Sequence, residues 1–429
     1  MSSWMVLVAL LINVFSGNWG EMGIPIGPDR LLFAGGLLLA WLDPRIPRPQ
    51  ARALHAMMLV FTAWTLASML LLSTVDTGTV FALLDRVVMP FLLFATAPML
   101  FRTSFERLLL LRGLTLLGLY LASVAVLQSV GAHGLVFPRY IVGGVIDASV
   151  PAADAARAGG PFLSGEGNGM ALGLCAVAAF LLARLDRGAW RVVGLVAGSL
   201  AAVASILSLT RAIWLGVALA VVVVVLLRRQ LWRWVPIMAV VGAVLAGAGV
   251  AAMPTLVDNI VDRGTTSRSL YDRQNSNAAA VRAIEEHPLV GVGWARFGEI
   301  GPDWVRQADT YPVTTVNIEV HNVVLSRAVD LGLPAGLLFV AILLAGPGAA
   351  IVRRRADPEE EEWRLAVIAA TCVWFVPSMT SPIPYPFPTF TFFLLAGLLW
   401  AFPRERLTQR ERIIAHPARN SEGRNARAK

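Results

Sequence analysis

Charged residues are scarce in this chain of 429 residues: they make up 15% of it, against roughly 25% in an average soluble domain. Lysine is nearly missing, since Lys429 is the only one. Hydrophobic residues make up 56%, and the mean hydropathy is +0.66. Such a composition excludes an ordinary soluble globular protein and predicts an integral membrane protein.

Cysteine and metal-ligand clusters are also scarce. The chain has two cysteines, Cys175 and Cys372, and both fall within long apolar runs. A disulfide framework or a thiolate metal site is therefore not expected, and both side chains are interpreted as small buried hydrophobes. The predicted outer loops contain no Asp-x-Asp motif, and the sequence contains no cluster of His and Cys residues. We expect no metal and no cofactor.

Apolar runs that approach the roughly 20 residues of a membrane-spanning helix recur along nearly the whole chain. Alternating-polarity strands of the outer-membrane type are absent, so helices are predicted. The predicted fold class is all-α, a polytopic transmembrane bundle of about twelve spans with a long, partly helical extracytoplasmic loop. The spans are expected near residues 3–16, 24–42, 53–73, 78–100, 108–131, 168–184, 190–208, 211–227, 234–252, 322–346, 365–381 and 386–402.

Arginines follow every second predicted span. Because basic residues of short loops stay on the cytoplasmic side, both termini are expected in the cytoplasm and the long connections 132–167 and 253–321 outside. The arginines concerned are Arg45, Arg48, Arg52, Arg102, Arg107, Arg184, Arg187, Arg191, Arg228, Arg229, Arg233, Arg353, Arg354 and Arg355. The net charge of +8 thus reflects membrane topology, and no nucleic-acid partner is predicted.

This topology predicts five parts of the chain. The last part is polar and basic, and we expect it to be disordered and to lie against the anionic inner leaflet. The parts are N-terminal spans 1–131, central spans 132–252 with the outer loop 132–167, a large extracytoplasmic loop 253–321, C-terminal spans 322–402 and a cytoplasmic tail 403–429.

The connection 253–321 is far longer than usual, and such loops tend to be functional. Asn275 to Glu286 has apolar residues at helical spacing, at Ala278, Val281 and Ile284, which predicts a short amphipathic helix that ends before Pro288. A Gly-x-Gly turn follows, at 291–293, where backbone amides could approach an anion.

Two arginines on the outer side are candidates for binding an anion. Arg273 lies at the start of the predicted helix, where the helix dipole adds to its attraction. Arg282 is nine residues further on and points to the opposite side.

Arg211 follows a short outer connection, where the topology rule predicts few basic residues, and a guanidinium binds phosphate bidentately. The competing interpretation for both Arg211 and Arg273 is contact with lipid phosphate.

His321 opens the tenth predicted span and is followed by Asn322. Histidine titrates nearest neutral pH, so it could accept a proton from a sugar hydroxyl at the mouth of the bundle. A structural histidine is the competing interpretation.

Further ionisable residues lie inside predicted spans. Arg327 and Asp330 are three residues apart and can pair on one helix face. Such groups normally face the interior of a bundle, as is expected also for Asp85 and Arg86, which have no assigned role.

The other long outer connection carries RAGGPFLSGEGNG from Arg157 onward. Its glycines permit an irregular entry into the sixth span. Arg157, Glu166 and Asn168 could contact a polar ligand there, and a plain loop is the alternative.

Three motifs occur in order along the chain. They are Thr210-Arg211-Ala212 with Trp214; Arg273, fifteen residues before the turn Pro288-Leu289-x-Gly291-x-Gly293; and His321-Asn322-x-x-Leu325 with Asp330 and Gly332. Together with the stretch from Arg157, they resemble the O-antigen ligase and O-antigen polymerase (Wzy/WaaL-like) superfamily of polytopic membrane glycosyltransferases, with Asp330 in place of the usual glutamate.

The resemblance implies a GT-C-like, inverting and metal-independent enzyme that transfers a glycan from a polyprenyl diphosphate carrier to an acceptor hydroxyl on the outer face of the membrane. Arg211 and Arg273 would hold the diphosphate, and His321 would orient or deprotonate the acceptor. The implied partners are the lipid-linked oligosaccharide donor, a glycan or lipid acceptor and the lipid bilayer. The candidate substrate-binding residues are Arg157, Asn168, Arg282 and Asn322.

Two other classes of protein remain as alternatives. A transporter or flippase of lipid-linked glycans is also polytopic, but such proteins usually contain internal repeats with broken helices, and the two halves show no convincing repeat. A non-catalytic scaffold of wall assembly is the third. Within the enzyme class, the sequence leaves ligase and polymerase open.

Overall fold

The computed structural model of the chain is helical throughout the residues that it describes, which confirms the all-α prediction for this part. The described residues are 1–24, 27–46, 48, 52–142, 157–234, 236, 268–306, 320–352, 357–381 and 385–415. Most of the predicted span 234–252 and large parts of both predicted outer loops lie outside the described residues.

The α-helices of the described part differ widely in length, and two pairs of them are joined by single π-helical turns, at Leu84–Val88 and Leu344–Gly348. The helices are α1 (Ser2–Ile12), α2 (Pro28–Leu42), α3 (Ala53–Leu71), α4 (Thr77–Leu83), α5 (Met89–Leu100), α6 (Ser104–Ser129), α7 (Gly165–Leu185), α8 (Ala189–Ala204), α9 (Arg211–Leu227), α10 (Arg268–Glu286), α11 (Phe297–Ile300), α12 (Val323–Leu331), α13 (Leu333–Leu343), α14 (Ala349–Val352), α15 (Pro358–Ser378) and α16 (Pro386–Ala415).

Six helical segments of the described part are long and apolar enough to cross a membrane. They are Ala53–Leu71, Thr77–Leu100, Ser104–Ser129, Gly165–Leu185, Ala189–Ser208 and Leu333–Val352, and three shorter apolar helices are Ser2–Phe15, Arg211–Leu227 and Pro386–Ala401. Each overlaps a predicted span, so the chain is a multi-pass membrane protein. The total of about twelve spans and the GT-C-like arrangement stay predictions.

Helix α7 is the centre of the bundle and packs against α6, α8 and α15. Small residues allow this, because they let helix backbones approach closely in a membrane protein. A Cβ added at Gly118 of α6 would lie 2.9 Å from the Cβ of Cys175, and one at Gly194 of α8 would lie 2.6 Å from the carbonyl oxygen of Ala179. Cys175 is fully buried, as expected of a small hydrophobe.

Ion pairs join the arginine-rich connections at one end of the bundle. Arg112 of α6 lies 2.6 Å from Asp186, which follows α7. Glu362 of α15 pairs with Arg228, which follows α9, and with Arg184 at 3.2 Å. Connections that the positive-inside rule assigns to one side of the membrane therefore meet at the same end of the bundle.

A small second cluster lies at the opposite end, where α10 packs against α12 and the turn 301–304. The predicted helix is present and ends before Pro288, but its apolar face differs in part from the expected one: Ile284 is buried, whereas Val281 is 45% exposed and Ala278 is half-buried. The face that packs consists of Ser276, Ala279, Ala280, Ala283 and Ile284. Alanines on this face let α10 approach α12 closely, and the helix begins at Arg268, earlier than Asn275.

The Gly-x-Gly turn is hydrogen-bonded to the last turn of α12. The amides of Val292 and Gly293 donate to the carbonyl oxygens of Val329 and Asp330, at 2.9 and 3.0 Å. Gly293 has a φ of 110°, a conformation that other residues rarely adopt. The turn thus satisfies carbonyl groups that the end of a helix leaves unpaired.

The anion that this turn approaches belongs to the protein itself. The backbone amides of Ala295 and Phe297 donate to the carboxylate of Asp330, which is 4% exposed. The amides of the predicted turn itself, those of Gly291, Val292 and Gly293, donate to backbone carbonyl oxygens, which corrects the expectation that they approach an external anion. Next to it, the Trp294 ring is fully buried and its Nε1 donates to the Thr79 carbonyl oxygen at 3.1 Å, so the turn is tied to the bundle.

The tenth predicted span is not one helix. Gly332, with a φ of 87°, separates α12 from α13, and Pro334 stands in the first turn of α13. The hydropathy of 322–346 is continuous, so the break was invisible in the apolar pattern. Residues 403–415, predicted as disordered tail, continue α16 to Ala415, because Arg, Glu, Leu and Gln all favour helix. Residues 416–429 lie outside the described part.

Gly332→Ala is expected to destabilise the protein. A Cβ at this position would overlap the carbonyl oxygen of Leu289, and the φ of 87° is strained for alanine. We expect a loss of about 2 kcal/mol or more, measured as a lower midpoint of thermal unfolding in detergent. Gly298→Ala is the matched control, since a Cβ there meets nothing within 4 Å. Equal midpoints for the two variants would contradict the tight junction.

Candidate functional site

Arg211 is the first residue of α9 and follows a sharp change of chain direction. Leu209 adopts a left-handed φ of 48° and ends the short helical turn before it. Trp214 fixes this turn, because its Nε1 donates to the carbonyl oxygen of Ile206 at 3.0 Å. The half-buried Arg211 side chain is thereby held at the end of the bundle opposite the arginine-rich connections.

The start of α7 packs directly against the turn that precedes Arg211. A Cβ at Gly165 would overlap the carbonyl oxygen of Ser208 and lie 3.3 Å from Oγ1 of Thr210. Only glycine allows this approach. The consequence is that Glu166, in the first turn of α7, is brought to the same end of the bundle as Arg211.

Arg273 of α10 completes the charged group. Its Nη2 lies 3.9 Å from Oε1 of Glu166. Partial burial lowers the pKa of the Arg273 guanidinium from its usual value; the Glu166 carboxylate opposes this shift, and the charge of Arg211 adds to it. The two arginines are therefore close enough to act on each other, and both stay charged.

Hydrogen bonds from the connection between α15 and α16 hold Glu166 and its helix in place. Ser381, just after α15, donates from Oγ to Oε1 of Glu166 at 2.8 Å. Tyr385, just before α16, donates from its hydroxyl to Oγ of Ser164 at 2.5 Å. The carboxylate is thus oriented from one side and faces Arg273 on the other.

His321 is linked to Arg273 through one serine. Oγ of Ser276 lies 3.2 Å from Nδ1 of His321 and donates to the carbonyl oxygen of Arg273, also at 3.2 Å. Asn322, the next residue, caps α12: its Oδ1 accepts from the amides of Val324 and Leu325, each at 3.0 Å. The cap fixes the start of α12 and thereby the position of His321, which directly precedes it.

These contacts suit one tautomer of His321. A serine hydroxyl has a single hydrogen; when that of Ser276 is donated to the Arg273 carbonyl oxygen, its oxygen accepts from Nδ1–H of the imidazole. In this tautomer the lone pair of Nε2 is the proton acceptor, the form that a general base requires.

Two of the other candidate substrate-binding residues bond to backbone carbonyl oxygens, and Arg157 lies at the same end of the bundle as Arg211. Asn168 is fully buried and donates to the carbonyl oxygen of Ala158 at 2.8 Å, so it supports the turn that carries Arg157 and does not face a substrate. Arg282, on the other side of α10 from Arg273 as its spacing predicts, donates to the carbonyl oxygen of Trp304 at 2.6 Å. Arg157 is half-buried beside Gly165.

Sequence analysis missed Ser276, Ser381 and Tyr385. The position of Ser276 three residues after Arg273 places both on one helix face, which was a usable signal. Ser381 and Tyr385 lie in a proline-rich connection, and nothing in their spacing indicates that they reach α7.

The fold and this site together define a polytopic membrane protein with a basic, partly buried site at one end of its bundle. Two guanidinium groups, a carboxylate and an oriented imidazole are the chemistry for binding a phosphate-bearing substrate next to a proton acceptor. Within the described residues, no group of three or more His, Cys, Asp or Glu side chains is placed to hold a metal ion.

Residues 196–340 match the family model described as O-antigen ligase (Wzy_C). The match confirms the resemblance to the O-antigen ligase and polymerase superfamily, and it supports a glycosyltransferase-like role in cell-surface polysaccharide assembly. Arg211, Arg273 and His321 all lie inside the matched segment. Among curated proteins, none matches the chain.

Glu166→Gln is expected to strengthen the binding of inorganic pyrophosphate. The carboxylate partly neutralises Arg273 in the empty site, so its removal leaves more positive charge for an anion. We expect about a threefold lower Kd at low ionic strength, since a partly exposed pair contributes little, measured by calorimetric titration. Glu286→Gln, exposed on the same helix as Arg273, is the control. An unchanged or higher Kd for Glu166→Gln would contradict this role.

Proposed function

We propose that this protein is an inverting, metal-independent membrane glycosyltransferase of the O-antigen ligase or polymerase type. It transfers a glycan from a polyprenyl diphosphate carrier to a hydroxyl group of a glycan or lipid acceptor. The proposal rests on one observation: Arg211, Arg273 and His321 come from three separate segments of the chain and gather around Glu166 and Ser276 at one end of the bundle.

The arginine pair suits the leaving group. When the bond between the anomeric carbon and the diphosphate breaks, the electron pair and negative charge go to the diphosphate oxygens. Guanidinium groups fixed beforehand at that position stabilise the charge as it develops. They are planar donors that bind phosphate oxygens in pairs, and Arg273 faces a carboxylate that a bound diphosphate can replace.

His321 suits the attacking group. The acceptor oxygen forms the new bond to the anomeric carbon, and its proton passes to Nε2 of the imidazole. The contact with Ser276 suits the tautomer with its hydrogen on Nδ1, in which Nε2 can accept that proton. The product is an elongated glycan with inverted configuration, and the polyprenyl diphosphate leaves with its bonding electrons.

The proposed site lies on the extracytoplasmic side of the bacterial cytoplasmic membrane. Supporting this, the arginine-rich connections are joined at the other end of the bundle, by ion pairs such as Arg112–Asp186, and basic connections stay on the cytoplasmic side.

Alanine variants of the three central residues test the proposal. Arg211→Ala, Arg273→Ala and His321→Ala should each lower glycan transfer about 100-fold or more, since each removes a group that acts in the transition state. The measurement is transfer from a synthetic polyprenyl diphosphate oligosaccharide by the full-length protein in nanodiscs. Arg102→Ala at the opposite end and His287→Ala, exposed in the outer segment, are the controls.

The same preparation separates a glycosyltransferase from a flippase. A flippase moves the intact lipid-linked glycan between leaflets and releases no free polyprenyl diphosphate. Translocation of a fluorescent donor in proteoliposomes, without cleavage, or unchanged transfer by all three folded variants, would overturn the catalytic assignment.

Ser276→Ala tests whether the serine positions the imidazole. Loss of one hydrogen bond to the base should lower kcat about tenfold, while the donor KM stays unchanged because Arg211 and Arg273 remain in place. Ser276→Thr keeps a hydroxyl group and should restore most of the kcat. Steady-state kinetics of the two variants decide the point; an effect on KM alone would show that the serine only supports the fold of α10.

A further inference from the structure

The turn that follows α10 carries apolar side chains on its outside. Pro288, Leu289 and Val290 together form this apolar turn. Leu289 is 68% exposed and Val290 is 51% exposed. Turns that face water are made mostly of Gly, Pro, Asn, Asp and Ser, and two adjacent large aliphatic side chains in contact with water are unfavourable. The pattern indicates that an apolar partner covers the turn.

The backbone of the apolar turn is fixed against the junction of α12 and α13. The amide of Leu333 donates to the carbonyl oxygen of Pro288 at 2.8 Å. A Cβ added at Gly332 would overlap the carbonyl oxygen of Leu289, so the two backbones are in direct contact. The exposed side chains of the turn therefore belong to a fixed part of the fold and do not result from a loosely packed loop.

A membrane span begins at this contact. Leu333 is the first residue of the segment Leu333–Val352, which is long and apolar enough to cross a membrane. Both Leu333 and Leu337 are exposed, and exposed apolar side chains of a spanning helix face lipid. The apolar turn therefore borders a surface that is in contact with lipid.

A second span ends close to the same place. Helix α3 is the segment Ala53–Leu71, and its last residue, Leu71, is 81% exposed. A Cβ added at Gly293, shortly after the apolar turn, would lie 3.3 Å from Cδ1 of Leu72. Because the bilayer surface passes near the ends of the segments that span it, two separate spans place that surface close to the turn.

We propose that the apolar turn inserts into the lipid leaflet at this end of the bundle, with Leu289 and Val290 as the inserted side chains. The partner is the apolar edge of the bilayer. Glu285 and Glu286 precede the turn and are exposed. Carboxylates are costly inside lipid, so these two residues mark the limit of the insertion.

A bilayer suits the turn better than a glycan or a second protein. The side chains of the turn are aliphatic, and none of them can donate a hydrogen bond to a sugar hydroxyl or accept one from it. A bilayer also requires no further partner to be recruited, because it already surrounds the neighbouring spans, α3 and the segment that begins at Leu333.

The insertion anchors the segments that carry the site. Helix α10, with Arg273, leads directly into the turn, and α12, which begins just after His321, ends at the junction on which the turn packs. Both helices are thereby held to the bilayer in which a lipid-linked donor lies, a consequence that rests on the proposed function. The insertion itself does not depend on it.

Spin labels on single cysteines test the insertion in the full-length protein in nanodiscs. Leu289→Cys and Val290→Cys are labelled separately in a Cys372→Ala background, since the remaining native cysteine, Cys175, is fully buried. Power saturation measures collisions of each label with oxygen, which concentrates in lipid, and with a nickel chelate, which stays in water. Both side chains are exposed, so neither substitution removes a core contact.

Two further labelled positions are the matched controls. Glu286→Cys reports a label in water, and Leu337→Cys reports one in lipid. The ratio of oxygen to nickel collisions at positions 289 and 290 should be several-fold higher than at 286 and close to that at 337. A ratio equal to that at 286 would overturn the proposal. Shielding from both reagents would also overturn it, because another segment of the chain, a second copy or another protein would then cover the turn.

The proposed function can fail independently of this insertion. If the labels lie in lipid but the unmodified protein transfers no glycan from any polyprenyl diphosphate donor, the insertion stands and the glycosyltransferase does not. If the protein transfers glycans and the labels at the turn meet nickel as readily as the label at 286, the reverse holds.

Discussion

The junction between the Gly-x-Gly turn and the end of α12 is the constraint on which the site depends. Asp330 accepts two amides from the segment after this turn, and the amides of the turn pair with carbonyl oxygens of α12. A buried carboxylate is costly unless it is hydrogen-bonded and balanced by charge, so this arrangement tolerates little variation. Trp294 ties it to the bundle through Thr79. Together with the direct packing of α10 on α12, this junction fixes Arg273 and His321 relative to the bundle that carries Arg211.

Positive charge is concentrated at this end of the protein in a way that folding alone does not favour. The charges of Arg211 and Arg273 act on each other beside Glu166, and those of Arg86 and Arg327 act on each other and on Asp330. Ionisable groups at the edge or inside of a membrane bundle are expensive and are usually retained for function.

Hydropathy and local motifs anticipated much of this structure. The apolar runs located the helical segments that are long enough to span, because a spanning helix must satisfy its backbone within itself and expose apolar side chains. The arginine and histidine motifs singled out Arg211, Arg273 and His321, which the fold brings to the same end of the bundle, and the nine-residue spacing separated Arg273 from Arg282. Part of the buried face of α10 was missed because alanine is small and only weakly hydrophobic, so it stands out little in a hydrophobic pattern. The break at Gly332 was missed because it interrupts no apolar run.

By itself the sequence determined that the chain crosses a membrane repeatedly, which connections are basic, and that three chemically related side chains occur in a particular order. These follow from composition, from charge distribution and from short spacings, all of which act locally. The tertiary structure alone decided that Ser276 contacts His321, that Glu166 faces Arg273, and that Tyr385 reaches Ser164 beside Glu166. These contacts join residues from 45 to 221 positions apart, and only the packing of separate helices sets which side chains meet.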